Sequence, residues 1–190
     1  MKPRLVLFDG YGTLFEGAFD KLLGICDQIA RENGLEMDAR AFLDVWDSYF
    51  FPLVRKGEFV AMRTANTVSL ERTLEELKIE GPVQTYTDQF IDCLATAPVF
   101  PDVHAALAAL DGTAQGIVSN ADSDHLQEAI QRNGLEFPVV VSSESARSYK
   151  PNPEIFLEAL AQFECEPSEA IYVGDSQEDD IVGAKGVGMQ

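Results

Sequence analysis

The chain is poor in cations, in cysteine and in long apolar runs. Of its 190 residues 14 are lysine or arginine against 32 aspartate and glutamate, a formal net charge of −18. A surface of that sign repels nucleic acid and anionic membranes, so neither is expected as a partner. An anionic substrate needs a local patch of cations, and where cations are scarce each one beside a candidate site carries more weight. Cys26, Cys93 and Cys165 are widely spaced and form no Cys-x-x-Cys pair. That usage fits buried thiols in a reducing compartment and points away from a disulfide framework or a cysteine metal site. No apolar run approaches the ~18 residues of a membrane span. Asp9 and its neighbouring glycines interrupt the first apolar stretch, so no signal-peptide pattern is present. The expectation is a soluble cytoplasmic protein, monomer or homodimer, that acts on a small anionic molecule.

What the chain does have is a hydrophobic fraction of 46%, enough for one core with a modest insertion. The first apolar run, Leu5-Val6-Leu7-Phe8, stops at Asp9-Gly10-Tyr11-Gly12-Thr13. Such a run reads as a buried parallel strand that delivers a carboxylate to the open edge of a sheet, where ligands of α/β proteins bind. The glycines keep the turn free of side chains, and Thr13 offers a hydroxyl and a backbone N–H to an anion.

From Glu16 to Ala97 the periodicity is helical. Stripes run through Phe19, Leu22, Leu23, Cys26, Ile29 and Ala30, then Phe42 to Phe50 with Pro52 after it, then Val68 to Leu77, then Phe90 to Leu94. After Pro101 helix and strand alternate. Strands are expected at 115–119, 138–142 and 170–174, and helices at 104–110, 123–133, 153–163 and 179–185. The predicted fold is α/β, a Rossmann-like parallel sheet with helices on both faces, built from residues 1–15 and 98–190, with 16–97 as an inserted all-helical domain.

Each predicted strand leads to a reactive group: Asp9, then Ser119 and Asn120, then Lys150, then Asp175 in Gly174-Asp175-Ser176. Singly these are also ordinary helix caps and a solvated loop cation. Converging on one sheet edge, two carboxylates, a cation and a hydroxyl suit Mg²⁺ and a phosphoryl group. Asp9, Asp175 and a backbone carbonyl near Tyr11 would suffice as protein ligands.

With these four segments in this order the chain resembles the haloacid dehalogenase-like hydrolase superfamily, over Lys2 to Thr13 and Phe100 to Met189, and the helical insertion falls where that family carries its cap. The resemblance implies that Asp9 is a nucleophile forming a covalent intermediate. It implies that Ser119 and Lys150 bind the anion and steady the nucleophile, and that Asp175 with Asp179 or Asp180 holds Mg²⁺. The first motif departs from the phosphatase pattern Asp-x-Asp-x-Thr. Tyr11 stands where the second aspartate protonates the leaving alcohol, and a phenol with an ordinary pKa near ~10 is a poor base at neutral pH.

Asp-x-Tyr-Gly-Thr-Leu is similar to 2-haloacid dehalogenases, whose halide leaves without a proton. Those enzymes need no metal, however, and the acids after Gly174 call for a compensating cation. Three functions therefore stand open: a Mg²⁺-dependent phosphatase, favoured on the metal motif; a 2-haloacid dehalogenase, which expects a cap arginine, with Arg55 and Arg63 as candidates; and a non-catalytic phosphate- or protein-binding relative. His104 and His125 are expected on helix surfaces, Tyr86, Tyr149 and Tyr172 in the core or at a rim, and Arg147 near the site. One or two of Trp46, Tyr49, Phe50 and Phe51 are expected to face the pocket. Where the chain reaches Gly186 to Gln190, the resemblance implies at least one more short strand.

Overall fold

Short β-branched and aromatic runs separated by amphipathic helices satisfy their backbones best as a parallel sheet with crossover helices. In the computed structural model that sheet has four parallel strands, β1 (Leu5–Phe8), β2 (Ala114–Ser119), β3 (Val139–Ser142) and β4 (Ala170–Val173), in the order β3-β2-β1-β4. The structure describes residues 3–190; Lys2, where the resemblance begins, lies outside them. β1 is central and pairs Phe8 with Ile117 on one side and Val173 on the other. The residues that follow β1, β2 and β4 are thereby placed side by side.

Strand alternation divides the core. Leu5 and Leu7 face a cluster with Val118, Val141, Ile155, Phe156 and Ala159 under α8 (Pro153–Gln162). Val6 and Phe8 face the opposite cluster with Ile117, Leu126, Ala129 and Ile130, under α5 (Val103–Ala109) and α6 (Ser123–Arg132). Each such valine, leucine, isoleucine or phenylalanine, fully buried, contributes about 1.5–3 kcal/mol over an exposed one.

Between β1 and α5 run α1 (Ala18–Glu32), α2 (Ala39–Arg55), α3 (Met62–Leu77) and α4 (Val83–Ala95). They bury a cluster of their own, Ile25, Cys26, Ile29, Phe42, Leu43, Trp46, Leu70, Leu74 and Tyr86. The Trp46 indole N–H donates to the Ser69 hydroxyl at 2.8 Å. The segments entering and leaving this layer lie together, with the Glu16 N–H on the Pro98 carbonyl at 2.8 Å. Pro52 does not follow α2 as expected but lies inside it. The prolyl ring is on an exposed face and the helix continues to Arg55 without that one N–H.

Cys26 is buried, and burial with the neighbouring Asp47 carboxylate pushes its thiol up to about 12. Burial also raises the Asp47 carboxyl from 3.8 to about 6, against the pull of Arg40. The folded state therefore disfavours ionised Asp47, and stability is lost as pH rises from about 4 to about 6. Two units correspond to roughly 3 kcal/mol, which partial exposure and screening reduce to about 1 kcal/mol. Asp47→Asn is expected to raise stability by about 1 kcal/mol at pH 7.5, with the gain vanishing below about pH 4 in urea titrations.

At the far edge of the sheet Gln190 accepts from the Tyr172 N–H at 2.9 Å and donates to the Ala170 carbonyl at 3.1 Å, so strand-like pairing is present there although no fifth strand is formed among the described residues. Among those residues no helix is long and apolar enough to cross a membrane.

Candidate active site

The strand register brings Asp9, Ser119, Lys150, Asp175 and Asp180 to one edge. Asp9 and Lys150 are buried, and the ammonium donates to the Asp9 carboxylate at 2.6 Å and to Asp180 at 2.6 Å. It also donates to the Tyr172 hydroxyl at 3.0 Å, which lies 2.9 Å from the Val118 carbonyl and 3.1 Å from Asp180. Tyr172, expected only as core or rim, is thus the fourth member of a buried charge network. A tyrosine facing the sheet's inner cluster from β4 gave the sequence no signal beyond its position two residues before Gly174.

Burial raises the Asp9 carboxyl from 3.8 to about 6; Lys150 opposes the rise, and Asp180 and Asp175 add to it. Burial would lower the Lys150 ammonium, but Asp9, Tyr172 and Asp180 outweigh it and hold its pKa well above 10.5. Tyr172 is pushed well above 10, chiefly by burial, and is neutral.

The backbone is shaped for this crowding. Gly12 has φ +96°, and a Cβ there would lie 2.4 Å from an Asp175 carboxylate oxygen. A Cβ on Gly174 would lie 2.3 Å from the Asp180 carboxyl carbon, and one on Gly10 would lie 2.9 Å from the Ser119 Oγ. Larger residues at these places would drive Asp175, Asp180 and Ser119 out of their positions.

Of the acidic pair, Asp180 and not Asp179 turns inward. Residues Gln177–Val182 form a π-helical segment, with the Ile181 N–H on the Ser176 carbonyl at 3.2 Å, before the short α9 (Gly183–Gly186). The wide turn carries Asp180 to Lys150 and to the Ser176 N–H at 2.9 Å, and leaves Asp179 to Arg55 at 3.4 Å. Among the described residues Asp9, Asp175 and Asp180 each offer a carboxylate oxygen within 4.8 Å of the others. Three carboxylates against one ammonium leave an excess of negative charge that a divalent cation would balance, so the donor set fits Mg²⁺. Asp175 is the exposed member and makes no side-chain hydrogen bond among the described residues.

Other expected residues sit differently. The Asn120 side chain is committed to the backbone of Lys150, accepting from its N–H at 2.7 Å and donating to its carbonyl at 3.2 Å; it holds the lysine in place. The Thr13 N–H is directed at the Gly10 carbonyl at 3.4 Å, while its hydroxyl is buried without a partner. The Tyr11 hydroxyl is likewise buried and unpartnered, its ring packed 5.4 Å from Phe15 and 6.1 Å from His125. Burial, and the charges of Asp9 and Asp124, raise its pKa and keep it neutral.

His104 is exposed as expected, but His125 is buried, because it occupies the inner face of α6 with Leu126 and Ala129. Burial lowers its pKa, so it is neutral. Arg147 lies 4.8 Å over the Phe59 ring and not in the site. Tyr149 donates to the Val60 carbonyl at 2.9 Å, and Tyr86 is buried among the inserted helices.

A cavity of about 440 Å³ opens beside Tyr11, Gly12, Asn120 and Asp175, walled by Phe19, Leu22, Met62, Phe90, Leu94 and Phe100. None of Trp46, Tyr49, Phe50 and Phe51 lines it: Trp46 is in the helical core, and Phe51 lies under the Arg55 guanidinium at 4.4 Å. Arg55 and Arg63 do not line it either. Arg55 pairs with Glu178 and Asp179, and Arg63 with Asp88 and Asp124. The carboxylate of Asp122 accepts from the Met62 and Arg63 N–H groups at 2.6 and 2.9 Å, capping α3 from across the chain.

A family model described as haloacid dehalogenase-like hydrolase matches residues 3–188. The chain belongs to this family. As a haloacid dehalogenase-like hydrolase it has relatives of both chemistries. It is 26% identical to haloacetate dehalogenase H-2 of Moraxella sp., over 100% of this chain and 84% of that one. It is 25% identical to phosphoglycolate phosphatase 1 of Pseudomonas aeruginosa, over 99% of this chain and 68% of that one. The structure of L-2-haloacid dehalogenase from Xanthobacter autotrophicus superposes with a TM-score of 0.76 at 24% identity, covering 98% of this chain and 75% of that one, which shows a shared fold.

Proposed function

We propose that this haloacid dehalogenase-like hydrolase is a Mg²⁺-dependent phosphatase of small phosphate monoesters, working through an aspartyl-phosphate on Asp9. The observation that carries the reading is the convergence of Asp9, Asp175 and Asp180 within 4.8 Å of one another, with the Lys150 ammonium pairing only Asp9 and Asp180. Asp9, Asp175 and Asp180, with the Tyr11 carbonyl, would hold the ion, which would neutralise charge on the phosphoryl oxygens. Asp9 supplies the attacking oxygen. Lys150, fixed by Asn120 and Tyr172, keeps Asp9 ionised and offsets charge on the transferred group. The hydroxyls of Ser119 and Thr13, the latter buried without a partner among the described residues, would donate to phosphoryl oxygens. Residues 16–97 act as the cap that shields the intermediate from bulk water. The free thiols fit work in the cytoplasm.

Full-length protein with millimolar Mg²⁺ is expected to release 4-nitrophenol from 4-nitrophenyl phosphate, and chelator is expected to reduce the rate by ~10²-fold or more. Equal rates with and without metal would overturn the reading. Tyr11 favours a second one, haloacid dehalogenation, since its neutral phenol cannot replace the missing acid. Against it, no arginine lines the cavity to take a substrate carboxylate. Chloride release from 2-chloropropionate without metal would establish that alternative.

A further inference from the structure

The cavity wall and the first motif together say what kind of alcohol the phosphate is esterified to. We propose that the preferred substrates are aryl phosphates, phosphate monoesters of phenols whose ring sits between α1 and α4 against Phe19, Phe90 and Leu94. This deepens the phosphatase reading and rests on it.

Two independent observations lead there. The first is the wall. Beyond Asp175 and the Gly12 turn the cavity is lined almost wholly by apolar side chains from three helices and Phe100. Among the described residues no lysine, arginine or histidine lines it, and the charged groups there are Asp20 and Asp175. A leaving group with a second phosphate or a carboxylate would meet negative charge, and a sugar would lose water from its hydroxyls without matching donors and acceptors. Phe19 is 51% exposed although it is a large aromatic residue on a helix whose other face is buried, and it borders this space. The volume of about 440 Å³ is in the range of small-molecule sites.

The second is the missing acid. Alkyl phosphates lose an alkoxide that needs a proton as it departs, and position 11 holds no carboxylic acid but a tyrosine whose hydroxyl is buried in protein. A phenolate departs without that help. In the first step an Asp9 oxygen bonds to phosphorus as the bond from phosphorus to the aryl oxygen breaks, and the phenolate leaves with the electron pair and takes a proton from water. In the second, water adds to phosphorus, the bond to Asp9 breaks, the carboxylate is restored, and inorganic phosphate and a proton enter solvent.

The test measures kcat/KM for 2-naphthyl phosphate, phenyl phosphate, glycerol 3-phosphate and acetyl phosphate with Mg²⁺, in the parent, in Phe19→Ser and in Phe90→Ala. Naphthol and phenol are similar as leaving groups, so their ratio reads contact with the wall. The parent is expected to prefer the naphthyl ester on the order of tenfold, mainly through KM, the size expected when one more ring is removed from water. Both variants are expected to bring that ratio near one, and glycerol 3-phosphate to be slower than phenyl phosphate by ~10³-fold or more. Phe19 is half exposed, so its replacement keeps the test clear of folding defects. A ratio near one in the parent, or one unchanged in both variants, with acetyl phosphate still hydrolysed, would overturn the aryl preference and leave the phosphatase reading standing. If acetyl phosphate also fails, both fall.

Discussion

Asp9→Asn is expected to lower metal-dependent phosphate release by about four orders of magnitude while leaving the protein at least as stable as the parent. An amide oxygen does not form the acyl phosphate, and no other group in the network replaces the carboxylate. The stability half of the result follows from the surroundings of the carboxyl. Burial raises it to about 6 in spite of the 2.6 Å contact with Lys150, so at pH 7.5 ionised Asp9 costs the folded state free energy that a neutral amide does not. The amide oxygen still accepts from the ammonium, and Lys150 retains Asp180 and Tyr172. Thermal melts beside the assay would check this; a variant that loses activity together with its melting transition would show Asp9 to be structural.

Lys150→Met should do the opposite, harming both. Among the described residues the ammonium is the sole cation in contact with the buried carboxylates of Asp9 and Asp180. Removing one partner of a buried ion pair leaves uncompensated charge and costs about 3–5 kcal/mol. The loss should be largest at pH 7.5 and smaller near pH 5.5. Without Lys150 the folded-state pKa of Asp9 rises further above its unfolded value, so stability falls as pH rises through it and returns as Asp9 is protonated. Turnover should fall by ~10²–10³ because charge on the transferred group is no longer offset. Denaturant titrations at the two pH values separate this electrostatic origin from loss of packing, which would be insensitive to pH.

These contrasting outcomes follow from a site held by contacts between distant segments. Asp9 and Lys150 are 141 residues apart, and Asn120 positions Lys150 across 30. The same holds where the helices meet the sheet: Ala61, before α3, has no capping side chain, and Asp122 supplies one from 60 residues away.

By itself the sequence determined the parallel sheet, the four helical stripes inserted after its first strand, and the order of Asp9, Ser119, Lys150 and Asp175, because strand and helix periodicity and strand-end position are local properties of the chain. Tertiary structure alone decided which of two adjacent acids enters the site, since a π-helical turn, not composition, rotates Asp180 inward and Asp179 outward. It also decided that Tyr172 joins the charge network and that His125 is buried. Arg55 and Arg63 tie the helices to the sheet edge, and Phe19 and Phe90, in place of the Trp46 cluster, form the cavity wall. Periodicity assigns a side chain to a face, but what that face meets depends on elements that close in from elsewhere in the chain.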